Sequence, residues 1–526
     1  MSEANGPLTL AIDIGGTGLF LLSQKIPRFA LGVDLIAWAI RNARERAPMD
    51  AWPARSEAAF DAYVESLTEV IGHADRAEPL KDYCLGLLMP LARKSVEPLA
   101  AVTAPARVSA KHQSLLHFVG QAPWSDAALM GRVRDWVLPR IERRGAIRAW
   151  IVDDTGFPKK GKHSVGVARQ YCGQLGKQDN CQVAVSLSVA NDAASLPIAY
   201  RLYLPQAWAD DPDRRKQAKV PADVAFATKP QIALEQIETA KAQGVAPGVI
   251  LADAGYGADG GFRAGLSGLD LIYVVGVQPT LSVWRPGEDP PPPKPWSGRG
   301  RPPSLMRRSP EHKPISAKAL AGELAAQAWR TVCWREGTNA ELSSRFAALR
   351  LRPASRDYNL PEPRAEEWLL IEWPEGESEP TKYWLSTLGA DMLIDQLVDI
   401  AKLRWRIERD YQDLKQELGL GHYEGRGWRG FHHHASLCIA AYGLLISLRE
   451  TIPPSTPSQA KGRPEPGLPQ GHRPRGAPDP TRTTRPQLDR DHPTTADARP
   501  RKTSSTMSML RQAHGPYQTI AQFMTQ

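Results

Sequence analysis

Acidic residues lie at three places in the sequence where they could hold divalent metal ions. Asp153 and Asp154 end the apolar run AWIVDD, and Asp253 ends a second apolar run, VILAD. A third acid, Glu408, lies in a long amphipathic stretch with helical spacing. Hard divalent cations prefer carboxylate oxygens, and two such ions about 4 Å apart can clamp a phosphodiester and stabilise both its attacking and its leaving oxygen. These acids indicate two-metal phosphoryl chemistry.

The helix predicted over 397–418 carries basic residues on the same stripe as the glutamate. Arg404, Glu408, Tyr411 and Lys415 lie four, three and four residues apart, which places them close to one face. On an isolated helix this stripe would be read as a surface salt-bridge ladder. The strand-terminal aspartates change that interpretation, because a helix facing them could complete their metal site. A second, apolar face is predicted to pack in the core: Ile400, Leu403, Ile407 and Leu414.

The elements that would position these acids follow an α/β pattern. Strands are predicted over 149–155, 183–189, 198–204, 249–253 and 271–277, with a helix over 230–243. The 198–204 strand is expected to start just after Pro197. Successive strand residues point to opposite faces, so only one of Asp153 and Asp154 is expected to face the metal ions.

Two further regions accompany this core. Residues 49–148 are predicted to be helical, since Phe60, Tyr63 and Leu67 recur at helical spacing and Ser125 or Asp126 could cap a helix. Roughly 150 residues separate Asp253 from Glu408, too many for a simple connection. Within them, 367–373 and 381–388 resemble strands, and the proline-rich basic stretch 290–303 (PPPPKPWSGRGRPP) is expected to contact DNA.

Three blocks of the chain resemble bacterial insertion-sequence transposases of the DDE class. The first begins with DDTGFPKKGKHSVG, the second is LADAGYG, and the third is RWRIERDYQDLKQELGL followed by HYEGRGWRGFHHH. The third block matches the Y-(2)-R-(3)-E-(6)-K signature at Arg404, Glu408 and Lys415, although its tyrosine position holds Ala401. Tyr411, one turn on, is expected to occupy related space. The resemblance covers about 49–453 and implies an RNase H-like catalytic domain over 149–450, with a β-rich insertion at about 280–390. It also implies that the helical region over 49–148 binds DNA.

The resemblance also implies an activity and the residues that perform it. The enzyme would cut the ends of an insertion element and join the freed 3′-OH to target DNA. Asp253 and Glu408 would be metal ligands, and Asp154, directly before Thr155, is favoured over the alternative Asp153 as the first acid. The metal ions would be two Mg²⁺, for which Mn²⁺ could substitute.

The partners follow from the same resemblance. Arg404 and Lys415 would contact phosphates beside the scissile bond. The substrate would be double-stranded DNA, both the terminal inverted repeats and the target, and a homodimer is expected because two ends must be joined. An alternative is a catalytically silent DNA-binding relic of such a transposase.

The two ends of the chain differ from its middle. Residues 8–19, LTLAIDIGGTGL, resemble the first phosphate loop of sugar kinases with the actin-like ATPase fold, but a second phosphate motif and a catalytic Asp do not follow. Residues 1–48 are therefore interpreted as a foreign, read-through extension with a sugar-kinase-like remnant. Under the alternative function, a catalytically silent transposase relic would be fused to this sugar-kinase fragment. Residues 451–526 are rich in proline and arginine and are predicted to be a disordered basic tail.

Composition limits the class of protein. The 526 residues carry 66 Lys and Arg against 57 Asp and Glu, and this net charge of +9 fits a polyanionic partner. The odd number of cysteines, five without a CxxC motif, disfavours a disulfide framework or zinc ribbon. No apolar run is expected to approach the ~20 residues that span a bilayer. A cytoplasmic, nucleoid-associated protein without a membrane partner is expected.

His432, His433 and His434 point in three directions on a helix, so they are expected to pack or face DNA and not to share a metal.

Overall fold

The computed structural model describes residues 52–336 and 341–451. The predicted extension over 1–48 and the predicted tail, apart from its first residue, lie outside the described residues. The helices are α1 (Trp52–Thr68), α2 (Ala77–Leu88), α3 (Val96–Thr103), α4 (Val108–Gly120), α5 (Asp126–Glu142), α6 (Gln206–Ala209), α7 (Pro212–Ala218), α8 (Lys229–Ala242), α9 (Ala254–Gly257), α10 (Gly260–Gly268), α11 (Ala317–Glu323), α12 (Ile394–Lys402), α13 (Trp405–Gln416) and α14 (Trp428–Thr451). The strands are β1 (Ala149–Pro158), β2 (Ala168–Cys172), β3 (Lys177–Ala190), β4 (Ser195–Leu202), β5 (Val249–Ala252), β6 (Tyr273–Val277), β7 (Ser282–Val283), β8 (Ile315–Ser316), β9 (Arg330–Glu336), β10 (Glu341–Leu351), β11 (Glu367–Trp373) and β12 (Lys382–Ser386).

The helices that precede the sheet pack around the last helix, α14. Phe60, Tyr63 and Leu67 are buried as the helical spacing of α1 predicts. The Tyr63 hydroxyl donates a hydrogen bond to the carbonyl of Ala440 in α14 at 2.8 Å. Ser125 caps α5 by accepting from the backbone N–H of Ala128. These helices share one continuous apolar core with the sheet, so residues 52–142 and the strands are not separately packed.

A ten-stranded mixed sheet lies at the centre. Its order is β2-β3-β1-β5-β6-β12-β11-β10-β9, and β4 also pairs with β3. Strands β1, β5 and β6 run parallel, whereas β3 is antiparallel to β1 and β12 is antiparallel to β6. Strands β9 to β12 come from the region between Asp253 and Glu408. That region therefore extends the central sheet through β12, while its strands β7 and β8 pair with each other as a separate two-stranded sheet.

Several predicted strand boundaries are wrong, among them those of β3, which spans Lys177–Ala190 and not 183–189, and of β6, which starts at Tyr273 and not at 271. β1 continues to Pro158, so its two aspartates lie within the strand and not at its end. β4 starts before Pro197, which pairs with Ser188 beside a register shift that accommodates the missing proline N–H. β12 begins and ends inside the predicted 381–388 run. By contrast, β11 has the predicted bounds.

The two faces of β1 pack against different helices. Ala149 and Ile151 belong to an apolar cluster with α12 and α13, whereas Trp150 and Val152 belong to the large core that includes α8. This alternation separates the side chains of any two adjacent residues on β1, and it decides which aspartate faces α13.

One helix, α14, meets the length and composition of a membrane span, over Trp428–Glu450. The prediction that no apolar run approaches the length of a membrane span is therefore wrong for this helix. The same stretch is 94% buried against the rest of the protein, as the core helix of a globular fold would be.

Candidate active site

The register between β1 and β5 places Asp153 and Asp253 side by side. Ile151 pairs with Leu251 across these parallel strands, and both belong to the same apolar cluster. Two residues farther along, Asp153 and Asp253 therefore lie at the same level and on the same face of the sheet, on backbone segments about 4.8 Å apart. Two of the predicted acids thus meet where β5 ends beside the middle of β1.

Asp153 is held by an arginine from α13's first turn. The Arg404 guanidinium donates a hydrogen bond to the Asp153 carboxylate at 2.6 Å, and only 15% of the Asp153 side chain is exposed. Burial raises the pKa of Asp153 to about 6, the charge of Arg404 opposes that rise, and the nearby charge of Asp253 adds to it. Asp153 is thus a carboxylate in a poorly solvated position whose main counter-charge is Arg404.

Asp154 lies on the opposite face of β1. Its carboxylate accepts a hydrogen bond from Lys229 of α8 at 2.7 Å, and the Tyr256 hydroxyl lies 3.5 Å away. The preference for Asp154 as the first acid therefore needs revision, because strand alternation directs it toward α8 and away from α13. Sequence reasoning did not find Lys229 as the partner of this acid, since nothing in the sequence reveals the packing of α8.

Asp253 caps the short helix α9 directly after β5. Its carboxylate accepts from the backbone N–H groups of Gly255 at 2.9 Å and of Tyr256 at 3.3 Å. The second glycine of the LADAGYG block, Gly257, is required by packing, since a Cβ there would lie 1.9 Å from the carbonyl oxygen of Gly276 in β6. This close approach of α9 to β6 holds Asp253 at the end of its strand.

The long helix predicted over 397–418 is two helices, α12 and α13, and the single-helix prediction is wrong. At the junction, the backbone N–H of Arg406 donates to the Leu403 carbonyl, and the backbone N–H of Ile407 donates to the Arg404 carbonyl, both at 3.2 Å. These bonds join residues three apart and so form a tighter turn than the α-helix. Leu403, Ile407 and Leu414 are buried, as predicted for the apolar face.

Glu408 joins the cluster through the same arginine. Arg404 donates to Glu408 at 3.1 Å while it also holds Asp153, so one guanidinium lies between the first and third acids. The Glu408 side chain is 65% exposed. The spacing-based prediction that Arg404 and Glu408 share one face therefore agrees with the structure, whereas neither spacing nor charge could show that Arg404 would reach β1.

A cavity of about 410 Å³ opens over these residues. Asp253, Arg404 and Glu408 line one side of it. Strands β9 and β12 contribute Trp334 and Trp384 to its wall. The inserted strands therefore enclose the acids as well as extend the sheet.

One cavity wall carries a lysine that sequence reasoning missed. Lys402, at the end of α12, lies 2.6 Å from the buried carboxylate of Glu372 in β11 and 4.1 Å from the centre of the Trp334 ring. The Lys402 charge is thus already paired, since attraction to Glu372 and to the ring face offsets part of its desolvation.

The described residues do not form a complete metal site in this arrangement. Among them, no three Asp, Glu, His or Cys side chains converge closely enough to hold an ion as they stand. The physical reason is the Arg404 guanidinium, which occupies the space between Asp153 and Glu408. The donor chemistry nevertheless fits a hard divalent cation, because the three acids around this point offer only carboxylate oxygens.

Lys415 and Tyr411 turn toward the strands. The Lys415 ammonium donates to the Gly156 carbonyl at 3.0 Å and lies 5.0 Å from the centre of the Phe157 ring, and burial lowers its pKa. Tyr411 shares a hydrogen bond of 2.8 Å with Ser186, the residue opposite Asp153 on β3. Ala401 lines the cavity instead, so Tyr411 does not occupy the space of the missing signature tyrosine.

The three consecutive histidines pack inside the protein. His432, His433 and His434 are all buried, and each has backbone or side-chain hydrogen-bond partners from different elements. His433 stacks on Trp124 at 3.5 Å between ring centres. Their directions diverge as predicted, and of the two expected roles the structure supports packing.

Comparison with known proteins gives two matches. The sequence profile of the DDE superfamily endonuclease family matches residues 66–341, slightly more than half of the chain. A probable transposase for insertion sequence element IS701 from Microchaete diplosiphon is 28% identical over 219 residues, which are 41% of this chain and 53% of that protein. The chain thus spans about half the length of this curated relative.

Proposed function

Because the chain belongs to the DDE superfamily endonuclease family, we propose that it is a transposase that cuts insertion-element ends and joins the freed 3′-OH to target DNA. The observation that carries the proposal is the convergence of Asp153, Asp253 and Glu408 from three distant segments, with Asp253 and Glu408 lining one cavity and Asp153 bonded to the Arg404 that also lines it. The name of the insertion-element relative agrees with this activity. We also propose that the catalytic domain is an RNase H-like core with a β-rich insertion, which the mixed sheet and the strands β9 to β12 between the second and third acids support.

Asp153, Asp253 and Glu408 are the proposed ligands of two divalent ions, Mg²⁺ or Mn²⁺. When bound, such ions would polarise the scissile phosphate and activate the attacking oxygen. Asp153 and Asp253 are already adjacent on rigid strands, and the exposed Glu408 side chain is free to turn toward them. Asp154 is the less favoured first ligand, because it lies on the face of β1 turned away from Glu408, where it pairs with Lys229.

Arg404 has to release at least one acid when cations replace it. Its guanidinium would then be available for a phosphate oxygen beside the scissile bond, which its planar donor fork suits. Lys415 would serve as a second phosphate contact only after leaving the Gly156 carbonyl. Both roles therefore require a rearrangement on DNA binding.

The proposed partners are double-stranded DNA, as terminal inverted repeats and as target, and a second copy of the chain in the synaptic complex. The helical region before β1 would contribute to DNA binding. Work on DNA would place the protein in the cytoplasm, at the nucleoid.

The test compares two aspartates that have the same local role. Asp253 and Asp259 each cap a helix by accepting from backbone N–H groups, but only Asp253 lines the cavity. Asn at either position keeps a capping acceptor and removes the charge. Asp253→Asn should reduce Mg²⁺-dependent cleavage of element-end DNA by about 10³-fold or more, since a metal supplies several kcal/mol of charge stabilisation. Asp259→Asn should cut at the wild-type rate.

Both variants should bind the same DNA as tightly as the wild type, which separates chemistry from binding. Normal cleavage by Asp253→Asn, or an equal loss in both variants, would refute the site.

A further inference from the structure

A proline-rich loop between β7 and β8 carries a cluster of positive charge outside the acid cavity. Every residue from 294 to 305, here called the basic tip, is exposed. The tip contains Lys294, Arg299 and Arg301 and no acid. Among the described residues, these three cations have no carboxylate partner, although most arginines elsewhere in the structure are paired or bonded.

The base of the loop is firmly attached to the protein. The buried Trp284 donates its indole N–H to Asp357 at 2.6 Å, and Arg308 donates to the other oxygen of the same carboxylate at 2.6 Å. Asp357 thus ties together the two limbs that lead to the tip. Arg307 adds a bond between the limbs through the Pro292 carbonyl at 2.7 Å.

The tip itself has a defined turn. The Trp296 indole N–H donates to the Gly300 carbonyl at 3.1 Å, and Gly298 and Gly300 have φ values of +80° and +74° that favour glycine. The Trp296 side chain remains 56% exposed. Prolines before and after the turn limit the conformations that binding must freeze out. The protein therefore presents three free cations and an aromatic ring on a fixed base.

The loop starts close to the proposed active site. Gln278 and Pro279 line the acid cavity, and the anchor Trp284 follows Pro279 by a few residues, a reach of at most about 18 Å. DNA held at the cavity would extend beyond it on both sides, since ten base pairs span about 34 Å. An acid-free cationic tip on a loop anchored there matches the phosphate backbone of a duplex, with one charge per about 1.7 Å of helix axis.

We propose that the basic tip is a second duplex-DNA contact, in which Lys294, Arg299 and Arg301 bind phosphates and Trp296 packs against the sugars of a groove. This inference rests on the proposed function, because it assumes that DNA occupies the cavity. It assigns to the tip affinity for DNA and no part in the cleavage step.

The experiment uses the full chain and a fluorescein-labelled 40-base-pair duplex of mixed sequence, with affinity measured over a range of salt concentrations. Replacing Lys294, Arg299 and Arg301 together by alanine should reduce the slope of log affinity against log salt by about 2.7, at 0.9 per lost contact. Exchanging lysine and arginine at the same positions should restore the slope. Trp296→Ala should lower affinity at every salt concentration without changing the slope.

Arg285→Ala is the matched control. Arg285 lies in the same loop, but Glu323 pairs with it at 2.9 Å, so its loss should leave the slope nearly unchanged. Thermal unfolding should be the same for all tip variants, because the tip is exposed. A wild type that binds the duplex while the triple variant keeps the wild-type slope would overturn the tip proposal alone. A wild type that binds no duplex would overturn the proposed function as well.

Discussion

Arg404 donates a hydrogen bond to Asp153 at 2.6 Å across 251 positions of sequence, and so connects α13 to the middle of β1. The same guanidinium reaches Glu408. In the absence of metal ions, Arg404 balances part of the negative charge that the three acids bring to one place. The predicted phosphate-binding arginine is thus also the internal counter-ion of the proposed metal site.

The two neighbouring aspartates should differ sharply in cleavage. Asp153→Asn removes the acid that faces Asp253 and should lower the rate by about 10³-fold or more. Asp154→Asn breaks the pair with Lys229 on the other face and should keep the rate within about tenfold of wild type. Nicking of a supercoiled plasmid carrying the element ends in Mg²⁺ measures both. The opposite ranking would return the first-ligand role to Asp154.

Removing the internal counter-ion should destabilise the metal-free protein. Arg404→Ala leaves the poorly solvated Asp153 carboxylate without its partner, at a cost of about 2 kcal/mol, less than for a fully buried pair because both side chains are partly exposed. Urea unfolding in EDTA gives the free energy directly.

The double variant with Asp153→Asn supplies the control for this cost. Neutral Asn needs no counter-charge, so Arg404→Ala should cost much less in that background. Equal costs in both backgrounds would show that the arginine stabilises the fold through other contacts.

Close packing under Asp253 predicts a difference between two glycines. Gly257→Ala would place a Cβ 1.9 Å from a carbonyl oxygen of β6, so α9 must shift, at a cost of about 1–3 kcal/mol. At Gly260, nothing lies within 4 Å of the added Cβ, and Gly260→Ala should be neutral or slightly stabilising. Thermal unfolding compares the two stabilities. Cleavage should fall only in Gly257→Ala, because Asp253 moves with α9.

Burial of His434 predicts a loss of stability in acid. Its ring bonds to the Tyr83 hydroxyl and the Gly419 carbonyl, both at 2.9 Å, and burial lowers its pKa from about 6.5 to about 4. Since the unfolded chain binds the proton more readily, stability is full above pH 6.5 and falls as the pH drops toward 4. Between pH 7 and 5 this single group should cost about 2 kcal/mol.

Unfolding of His434→Gln measured over the same range checks that cost. The variant should have a flatter dependence on pH, whereas His117→Gln, at an exposed histidine, should follow the wild type. A wild-type slope in His434→Gln would mean that other groups cause the acid loss.

Much of the site could be predicted from local sequence. The apolar runs before Asp153 and Asp253 specify strands, and the spacing from Arg404 to Lys415 specifies a helix whose Leu403, Ile407 and Leu414 are buried. Such patterns are readable because strand and helix periodicities act over a few residues. The LADAGYG motif was visible in the sequence. The packing contact with Gly276 that requires glycine at position 257 was not.

Only the tertiary structure shows which of Asp153 and Asp154 faces α13. Adjacent strand residues differ by one position and by a whole face of the sheet, so the answer depends on the register of β1 against β5 and on which helices cover each face. The same holds for Arg404, whose contact with Asp153 joins segments that no local pattern relates. Residue types and short-range spacing therefore determined which chemistry is proposed for this chain, while long-range strand pairing and packing decided which of its acidic and basic side chains meet.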